Sequence, residues 1–209
     1  MIAPGASLVF IVDDDPSVRK SLARLLRGAG YEVEAFASAR EFLARPHHDA
    51  PCCLVLDVRM PGLTGLQLQE ALATAGHLLS TVFITGYSEV SASVKAMKGG
   101  AVDFLTKPVD KRALLDAVER AMTKAGQARR EEARISEIRD RIKTLTPREA
   151  EVFALVVTGM LNKQIAFDLG VSEQMVKVHR GRVMEKMRAG SLAELVRLAD
   201  QGGVVAAKS

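Results

Sequence analysis

The feature that most constrains the fold is an alternation of short apolar runs with amphipathic helical patterns through the first 125 residues. Residues 8–12, 53–56 and 81–85 form short, largely apolar runs, typical of strands that are buried on both faces of a parallel sheet. Weaker strand candidates lie at 31–36 and 101–106. Five strands that alternate with helices predict a doubly wound α/β sheet, with a ligand site at the carboxyl ends of the strands.

The last third of the chain shows only helical patterns. Thr146, Pro147 and Glu149 form a capping box with proline at the first helical position, and the box predicts a helix that ends near Thr158. Further helices are predicted at 163–169, 173–187 and 192–199, with a frayed tail from residue 202 onward. Two short helices joined by a glycine-containing turn are typical of a helix-turn-helix unit.

A densely charged segment, residues 127–143, separates these two patterns. It lacks proline and glycine, and Ile135, Ile138 and Ile142 recur at helical spacing, so we expect a semi-rigid helical linker. A solvated helix and a short dimerising coiled coil both fit this pattern. The predicted organisation is therefore a domain at 1–125, a linker at 126–143 and a second domain at 144–209.

Charge and cysteine content limit the compartment and the partners. Residues 1–124 have no net charge, whereas residues 125–209 carry the whole net charge of +4, which favours a polyanion as partner of the second domain. No apolar run is long enough to cross a membrane, and no signal peptide is recognisable, so we expect no membrane association. The only cysteines, Cys52 and Cys53, are adjacent and indicate buried thiols in a reducing cytoplasm.

Carboxylates follow the ends of two predicted neighbouring strands. Asp13 and Asp14 follow the first strand, and Asp57 follows the third. Because the carboxyl ends of these strands meet in a doubly wound sheet, the carboxylates should converge and repel one another unless a cation such as Mg²⁺ neutralises them. A carboxylate is also a nucleophile toward phosphorus, and Thr85 and Lys107 end the fourth and fifth strands, where they would hold phosphoryl oxygens.

Together these motifs resemble the receiver domain of two-component response regulators. The resemblance is carried in order by Val-Asp-Asp-Asp at 12–15, Asp-Val-Arg-Met-Pro-Gly-Leu-Thr-Gly at 57–65, Ile-Thr-Gly at 84–86 and Phe-Leu-Thr-Lys-Pro at 104–108. It implies a flavodoxin-like, five-stranded parallel sheet of order 2-1-3-4-5. It also implies that Asp57 accepts a phosphoryl group from a sensor histidine kinase. Asp14, Asp57 and the backbone carbonyl of Arg59 would ligate Mg²⁺ or Mn²⁺ directly, and Asp13 would act through water.

The resemblance also implies how phosphorylation is sensed. Thr85 and Lys107 would hold the phosphoryl oxygens, Phe104 would be the switch aromatic, and the peptide bond between Lys107 and Pro108 would be cis. The face made by a helix near residues 94–98, the fifth strand and the following helix would then change shape and either dimerise or contact the DNA-binding domain. Its predicted contacts are Val94, Lys95 and Lys98.

The C-terminal motifs resemble the LuxR-type DNA-binding domain over residues 143–203. They are Leu-Thr-Pro-Arg-Glu-Ala-Glu-Val at 145–152, Gly-Met-Leu-Asn-Lys-Gln-Ile-Ala at 159–166, Leu-Gly-Val-Ser at 169–172 and Val-Lys-Val-His at 176–179. The resemblance implies a four-helix domain whose third helix reads double-stranded promoter DNA and whose fourth helix dimerises. Met175 replaces the usual threonine, and Gly181 stands where relatives often carry a larger side chain. The candidate contacts are Lys177 and Val178 for bases, with Asn162, Lys163, His179, Arg180 and Arg182 near phosphates.

The whole chain thus resembles response regulators of the FixJ and StyR type. This implies a phosphorylation-switched transcription factor that is a homodimer when phosphorylated, contacts RNA polymerase if it activates, and is no classical enzyme beyond self-dephosphorylation. A phosphohydrolase with a nucleophilic aspartate is an alternative, but it needs a second carboxylate where this chain has Arg59. A second alternative is a phosphorylation-independent DNA-binding or adaptor protein, which the complete acidic set makes less favourable.

Overall fold

The structure, a computed structural model, describes residues 7–46, 48, 50–77, 79–86, 97 and 99–204. The chain divides into two compact units, Met1–Arg129 and Arg130–Ser209. The strands are β1 (Leu8–Val12), β2 (Glu32–Phe36), β3 (Cys52–Asp57), β4 (Ser80–Thr85) and β5 (Asp103–Thr106). The helices are α1 (Pro16–Gly28), α2 (Ala39–Leu43), α3 (Gly65–Thr74), α4 (Lys111–Lys143), α5 (Pro147–Val156), α6 (Asn162–Leu169), α7 (Glu173–Met187) and α8 (Leu192–Gly202).

The first unit is a five-stranded parallel sheet of order β2-β1-β3-β4-β5, which confirms the predicted fold. Val12 of β1 pairs with Leu56 of β3, so Asp13 and Asp57 follow paired residues at the same edge of the sheet. Asp57 in turn pairs with Ile84 of β4, which places Thr85 at that edge as well. The sheet register therefore gathers the predicted site at the carboxyl ends of three neighbouring strands.

Apolar side chains on both faces of the sheet form two cores. Phe10, Leu54 and Phe83 pack on one face with α2 and α3, and the other face packs against α1 and the first part of α4. Cys52 and Cys53 are buried with free thiols, and burial raises the pKa of both, which confirms the expected buried thiols. None of the helices in the described part of the chain is both long and apolar enough to cross a membrane.

Four helices, α5 to α8, follow α4 in the second unit, and their ends match sequence signals. Thr146 caps α5 through a capping box with Glu149, and Gly170 ends α6 in the left-handed conformation at φ 64°. Helix α8 continues through Gly202 to a left-handed Gly203, so the predicted start of the frayed tail at residue 202 was wrong, and the rest of that tail, residues 205–209, lies outside the described residues. A Cβ on Gly202 would lie 2.4 Å from Ile142 Cδ1, which shows how closely α4 approaches this last turn.

The predicted linker is the second half of one continuous helix, α4, that begins at Lys111. Ile138 is buried and Ile142 is half-buried in the core of the second unit, and Arg141 Nη1 donates a hydrogen bond to the Met187 carbonyl. Ile138 and Ile142 therefore pack within their own unit and are not available to form a coiled coil. Residues 127–134 form a continuous exposed stretch of the helix. The helix predicted near residues 94–98 lies outside the described residues apart from residue 97, and so do its predicted contacts Val94, Lys95 and Lys98.

Candidate functional site

Three carboxylates converge at the carboxyl edge of the sheet. One oxygen from each of Asp13, Asp14 and Asp57 lies within 4.8 Å of the others, with Asp13 and Asp57 buried and Asp14 exposed. Oxygen ligands in this number suit a hard divalent cation that keeps part of its water shell, such as Mg²⁺. The donor set of the site therefore fits the metal that the sequence predicts.

Lys107 bridges the two buried carboxylates. Its ammonium lies 2.8 Å from Asp13 Oδ2 and 3.0 Å from Asp57 Oδ1. The backbone holds Lys107 in place, because its N–H donates to the Thr85 carbonyl over 2.6 Å. The peptide bond between Lys107 and Pro108 is cis, as the resemblance implied. One lysine thus balances only part of the negative charge at this edge.

Burial and the excess of carboxylates together set the electrostatics of the site. Burial raises the pKa of Asp57, Lys107 opposes that shift, and the charges of Asp13 and Asp14 add to it. Burial alone would lower the pKa of Lys107, but its bonds to Asp13 and Asp57 outweigh burial and raise it. The site therefore holds a protonated lysine beside an aspartate whose negative charge is disfavoured until more positive charge arrives.

The neighbouring aspartates have different partners. Asp13 Oδ2 accepts from Lys107, and Asp13 Oδ1 accepts from the N–H of Asp15 over 2.8 Å. Asp15 caps α1 through its side chain. Arg19, which sequence reasoning missed, donates to the Asp13 carbonyl oxygen over 2.6 Å. This contact forms because α1 runs back over the end of β1. No local sequence motif predicts it.

Gly65 sets the approach of α3 to the site. A Cβ at this position would lie 2.2 Å from the Asp57 carbonyl oxygen, and the Gly65 N–H donates to the Val58 carbonyl over 3.0 Å. Only glycine permits this distance, so the first turn of α3 fixes the backbone of Asp57. A glycine directly after a helix-capping threonine, Thr64, was the available signal.

Thr85 and Phe104 lie on the β4–β5 side of the site. Thr85 is buried at the end of β4. Phe104 is half-buried in β5, where it is the register partner of Phe83, and the two ring centroids are 6.2 Å apart. Phe104 thus packs against the core beside Phe83, on the strand next to the one that carries Thr85.

In the second unit, α7 presents one face to the core and the other to solvent. Val176, Val183 and Met187 are buried. The residues exposed on other sides of the helix include Lys177, Val178, Gly181 and Arg182. Lys177 Nζ lies 3.6 Å from Glu173 Oε1, a distance that leaves the ammonium accessible to another partner. An exposed helix with this charge has the dimensions of a major-groove reader.

The remaining predicted DNA contacts surround this face and are exposed to different extents. Lys163 in the first turn of α6 is exposed, whereas Asn162, His179 and Arg180 are half-buried. Arg180 Nη1 donates to Asn162 Oδ1 over 3.1 Å, which ties α7 to the start of α6. The structure therefore gathers these residues along two adjoining helices.

Lys186, another basic residue of α7, is held by the fold. Its ammonium lies 2.6 Å from Glu149 Oε2 and donates to the Thr144 carbonyl over 2.9 Å. The bonds from Lys186 and from the Thr146 N–H lower the pKa of the buried Glu149 to about 2. This ion pair joins α5 to α7 and was missed, because the sequence pattern groups Lys186 with the basic surface.

Comparisons with known proteins agree with both halves of this architecture. Residues 9–119 match the family described as response regulator receiver domain, and residues 143–199 match the bacterial regulatory proteins of the luxR family. Nodulation protein W of Bradyrhizobium diazoefficiens is 48% identical over 96% of this chain and 88% of its own length. The transcriptional regulatory protein FixJ of Azorhizobium caulinodans is 43% identical over 98% of this chain and 97% of its own length.

A solved structure is similar over both units. The low-resolution structure of the response regulator StyR is 43% identical and covers 94% of this chain and 100% of its own chain, with a TM-score of 0.80. Two family matches, near-complete relatives and a shared fold lead to one assignment. The chain belongs to the family of two-component response regulators that act as transcriptional regulators and join a receiver domain to a LuxR-type DNA-binding domain.

Proposed function

We propose that this regulator is switched by transfer of a phosphoryl group from a sensor histidine kinase to Asp57. The observation that carries the proposal is the placement of Asp57: it is buried at the end of β3, 3.0 Å from Lys107 Nζ and beside Asp13 and Asp14. A phosphohydrolase would need a second carboxylate two residues later, where the chain has Arg59.

The transfer is a substitution at phosphorus. A carboxylate oxygen of Asp57 attacks the phosphorus of a phosphohistidine, a P–O bond forms, and the P–N bond breaks. The electron pair of that bond stays on the imidazole nitrogen, which takes up a proton. Lys107, kept protonated by its raised pKa, pairs with the phosphoryl oxygens, and the Thr85 hydroxyl donates to them.

Asp14, Asp57 and the Arg59 carbonyl would hold the divalent cation directly, and Asp13 would act through water. The outer role of Asp13 is supported by its two oxygens, which already accept from Lys107 and from the Asp15 N–H. Bound Mg²⁺ or Mn²⁺ supplies positive charge that keeps the carboxylates ionised and offsets the charge of the phosphoryl oxygens.

The phosphoryl group would act on the rest of the chain through Thr85 and Phe104. Thr85 turns toward the phosphoryl oxygens, and Phe104 moves inward beside Phe83. The receiver face made by the helix predicted near residues 94–98, β5 and the first part of α4 then changes shape and dimerises. Two DNA-binding domains then engage two half-sites of promoter DNA, which raises affinity without new contacts. If the regulator activates transcription, RNA polymerase is the further partner. Hydrolysis of the aspartyl phosphate by the chain itself would end the signal.

The proposal is tested by comparing wild type with Asp57→Asn, with and without acetyl phosphate and Mg²⁺. Mass in solution is measured by light scattering after size-exclusion chromatography, and DNA binding by anisotropy on promoter fragments. We expect dimerisation and tighter DNA binding on phosphorylation only in wild type. Phosphate-dependent dimerisation that persists in Asp57→Asn contradicts the proposal.

A further inference from the structure

Met175 is an exposed apolar side chain that the fold of the second unit does not use. The unit contains four methionines, and Met160, Met184 and Met187 all pack in its core. Met175 is 51% exposed, in the first turn of α7. Its N–H donates to Ser172 Oγ over 3.2 Å, so the cap fixes the backbone at this position without help from the side chain.

Met175 belongs to a short apolar strip on the solvent face of α7. Val178, three residues later on the same side of the helix, is 45% exposed. Met175 lies to one side of Val178 and Lys177 to the other, as the rotation of about 100° per residue requires. Arg182, one turn beyond Val178, is exposed on the side of Met175. Two apolar side chains thus lie between cations on the face proposed to enter the major groove.

The chemistry of the groove identifies what such a strip recognises. The C5-methyl group of thymine is the apolar feature of the base edges that face the major groove, and side chains near the N-terminus of a recognition helix reach base edges. A methionine has a flexible and polarisable side chain that adapts its contact to a neighbouring methyl group. A lysine at the adjacent position suits guanine O6 and N7.

We propose that Met175 is a specificity-determining residue that contacts the methyl group of a thymine in each half-site, beside the base that Lys177 reads. This inference rests on the proposed function, since it names the bases that the same DNA-binding surface distinguishes. Val178 lies between the two and completes the apolar strip. A half-site for this chain therefore contains a thymine whose methyl group, rather than its hydrogen-bonding atoms, contributes to affinity.

The test removes only the C5-methyl group of a thymine. A duplex is first selected from a random double-stranded DNA library with the full chain in acetyl phosphate and Mg²⁺, and each thymine of the selected duplex is then replaced singly by deoxyuridine. Wild type should bind about fourfold more weakly when the contacted thymine is replaced, the effect of withdrawing one buried methyl group. Met175→Gln, which keeps the length and helix propensity of the side chain, should bind the thymine and uracil duplexes equally.

Leu43 supplies a matched control, because it is 47% exposed at the end of α2 in the receiver unit, outside the face proposed to dimerise. Leu43→Gln should retain the fourfold discrimination. The inference is overturned if Met175→Gln discriminates as wild type does, or if no replacement weakens wild-type binding. If the library yields no enriched sequence, DNA recognition itself fails, and the proposed function falls together with the inference. Equal melting curves of the two variants establish that any change lies in recognition and not in folding.

Discussion

Asp57 in the receiver and Glu149 in the DNA-binding domain are both buried carboxylates that bond to a lysine, yet their pKa values shift in opposite directions. Burial and the nearby Asp13 and Asp14 raise the pKa of Asp57 in spite of Lys107. Lys186 and the Thr146 N–H lower the pKa of Glu149 to about 2. The difference lies in burial and in partners: burial has the largest effect on the pKa of Asp57, which shares its lysine with Asp13, whereas the hydrogen bonds from Lys186 and the Thr146 N–H have the largest effects on that of Glu149.

This contrast separates a site that we propose binds a ligand from an ion pair that stabilises the fold. An excess of carboxylates over cations leaves unfavourable negative charge, which a bound cation would relieve. A carboxylate whose cation and hydrogen-bond donors all come from the fold contributes to stability and is not available to bind a ligand. Counting donors and acceptors around each buried carboxylate therefore predicts which of the two is functional.

The largest expected effect compares the two lysines. Lys186→Met leaves Glu149 buried without its cation, and we expect the melting temperature of the DNA-binding domain to fall by about 10 °C. Lys107→Met should also lower the melting temperature of the receiver, because the carboxylates then repel without a cation between them. Scanning calorimetry with and without Mg²⁺ distinguishes the sites: Mg²⁺ should restore stability to Lys107→Met alone. If Mg²⁺ restores the melting temperature of both variants, or of neither, the contrast between the two sites is contradicted.

Acid should weaken the Glu149 pair specifically. The pKa of Glu149 is about 2 in the folded chain against an ordinary value of 4.5, so its ionised form stabilises the fold. That contribution is complete above about pH 4.5 and is lost as the pH falls toward 2. The melting temperature of wild type should exceed that of Glu149→Gln by several degrees near neutral pH, and the gap should close in acid. A gap that stays constant down to pH 2 rules out this pairing.

Lys177 extends the comparison to exposed charge. Unlike Lys186, it lies 3.6 Å from its glutamate and is largely exposed, so Lys177→Ala should leave the melting temperature almost unchanged. Loss of a base contact should weaken specific DNA binding by about 1–3 kcal/mol, and non-specific binding should weaken less. Titrations of the selected duplex and of a scrambled duplex measure the two losses. Equal losses identify Lys177 as a phosphate contact only.

The smallest expected effect concerns glycines. A Cβ on Gly181 would meet no atom within 4 Å, so Gly181→Ala should stabilise α7 by about 0.5–1 kcal/mol. A Cβ on Gly202 would lie 2.4 Å from Ile142 Cδ1, so Gly202→Ala should destabilise the same domain. Chemical denaturation of both variants checks the opposite signs. Two shifts of the same sign contradict the packing described for α4 and α8.

The sequence predicted the receiver site well because its polar side chains lie at the carboxyl ends of the strands. Apolar runs located β1, β3 and β4, and the parallel order then brought Asp13, Asp14, Asp57 and Lys107 together. The roles of these residues remain predictions, as do the individual DNA contacts. What the sequence pattern missed depends on tertiary contacts: Arg19 donates to the Asp13 carbonyl, Lys186 pairs with Glu149, and Ile138 is buried in the core of its own unit.

The most direct test of the account is the intact mass of the chain after incubation with Mg²⁺ and acetyl phosphate. Wild type should gain one phosphoryl group, and Asp57→Asn should gain none under the same conditions. The same incubation without Mg²⁺ should label wild type poorly. Failure to label wild type where a control receiver is labelled, or labelling of Asp57→Asn to the same extent, contradicts the assignment of Asp57 as the phosphoacceptor.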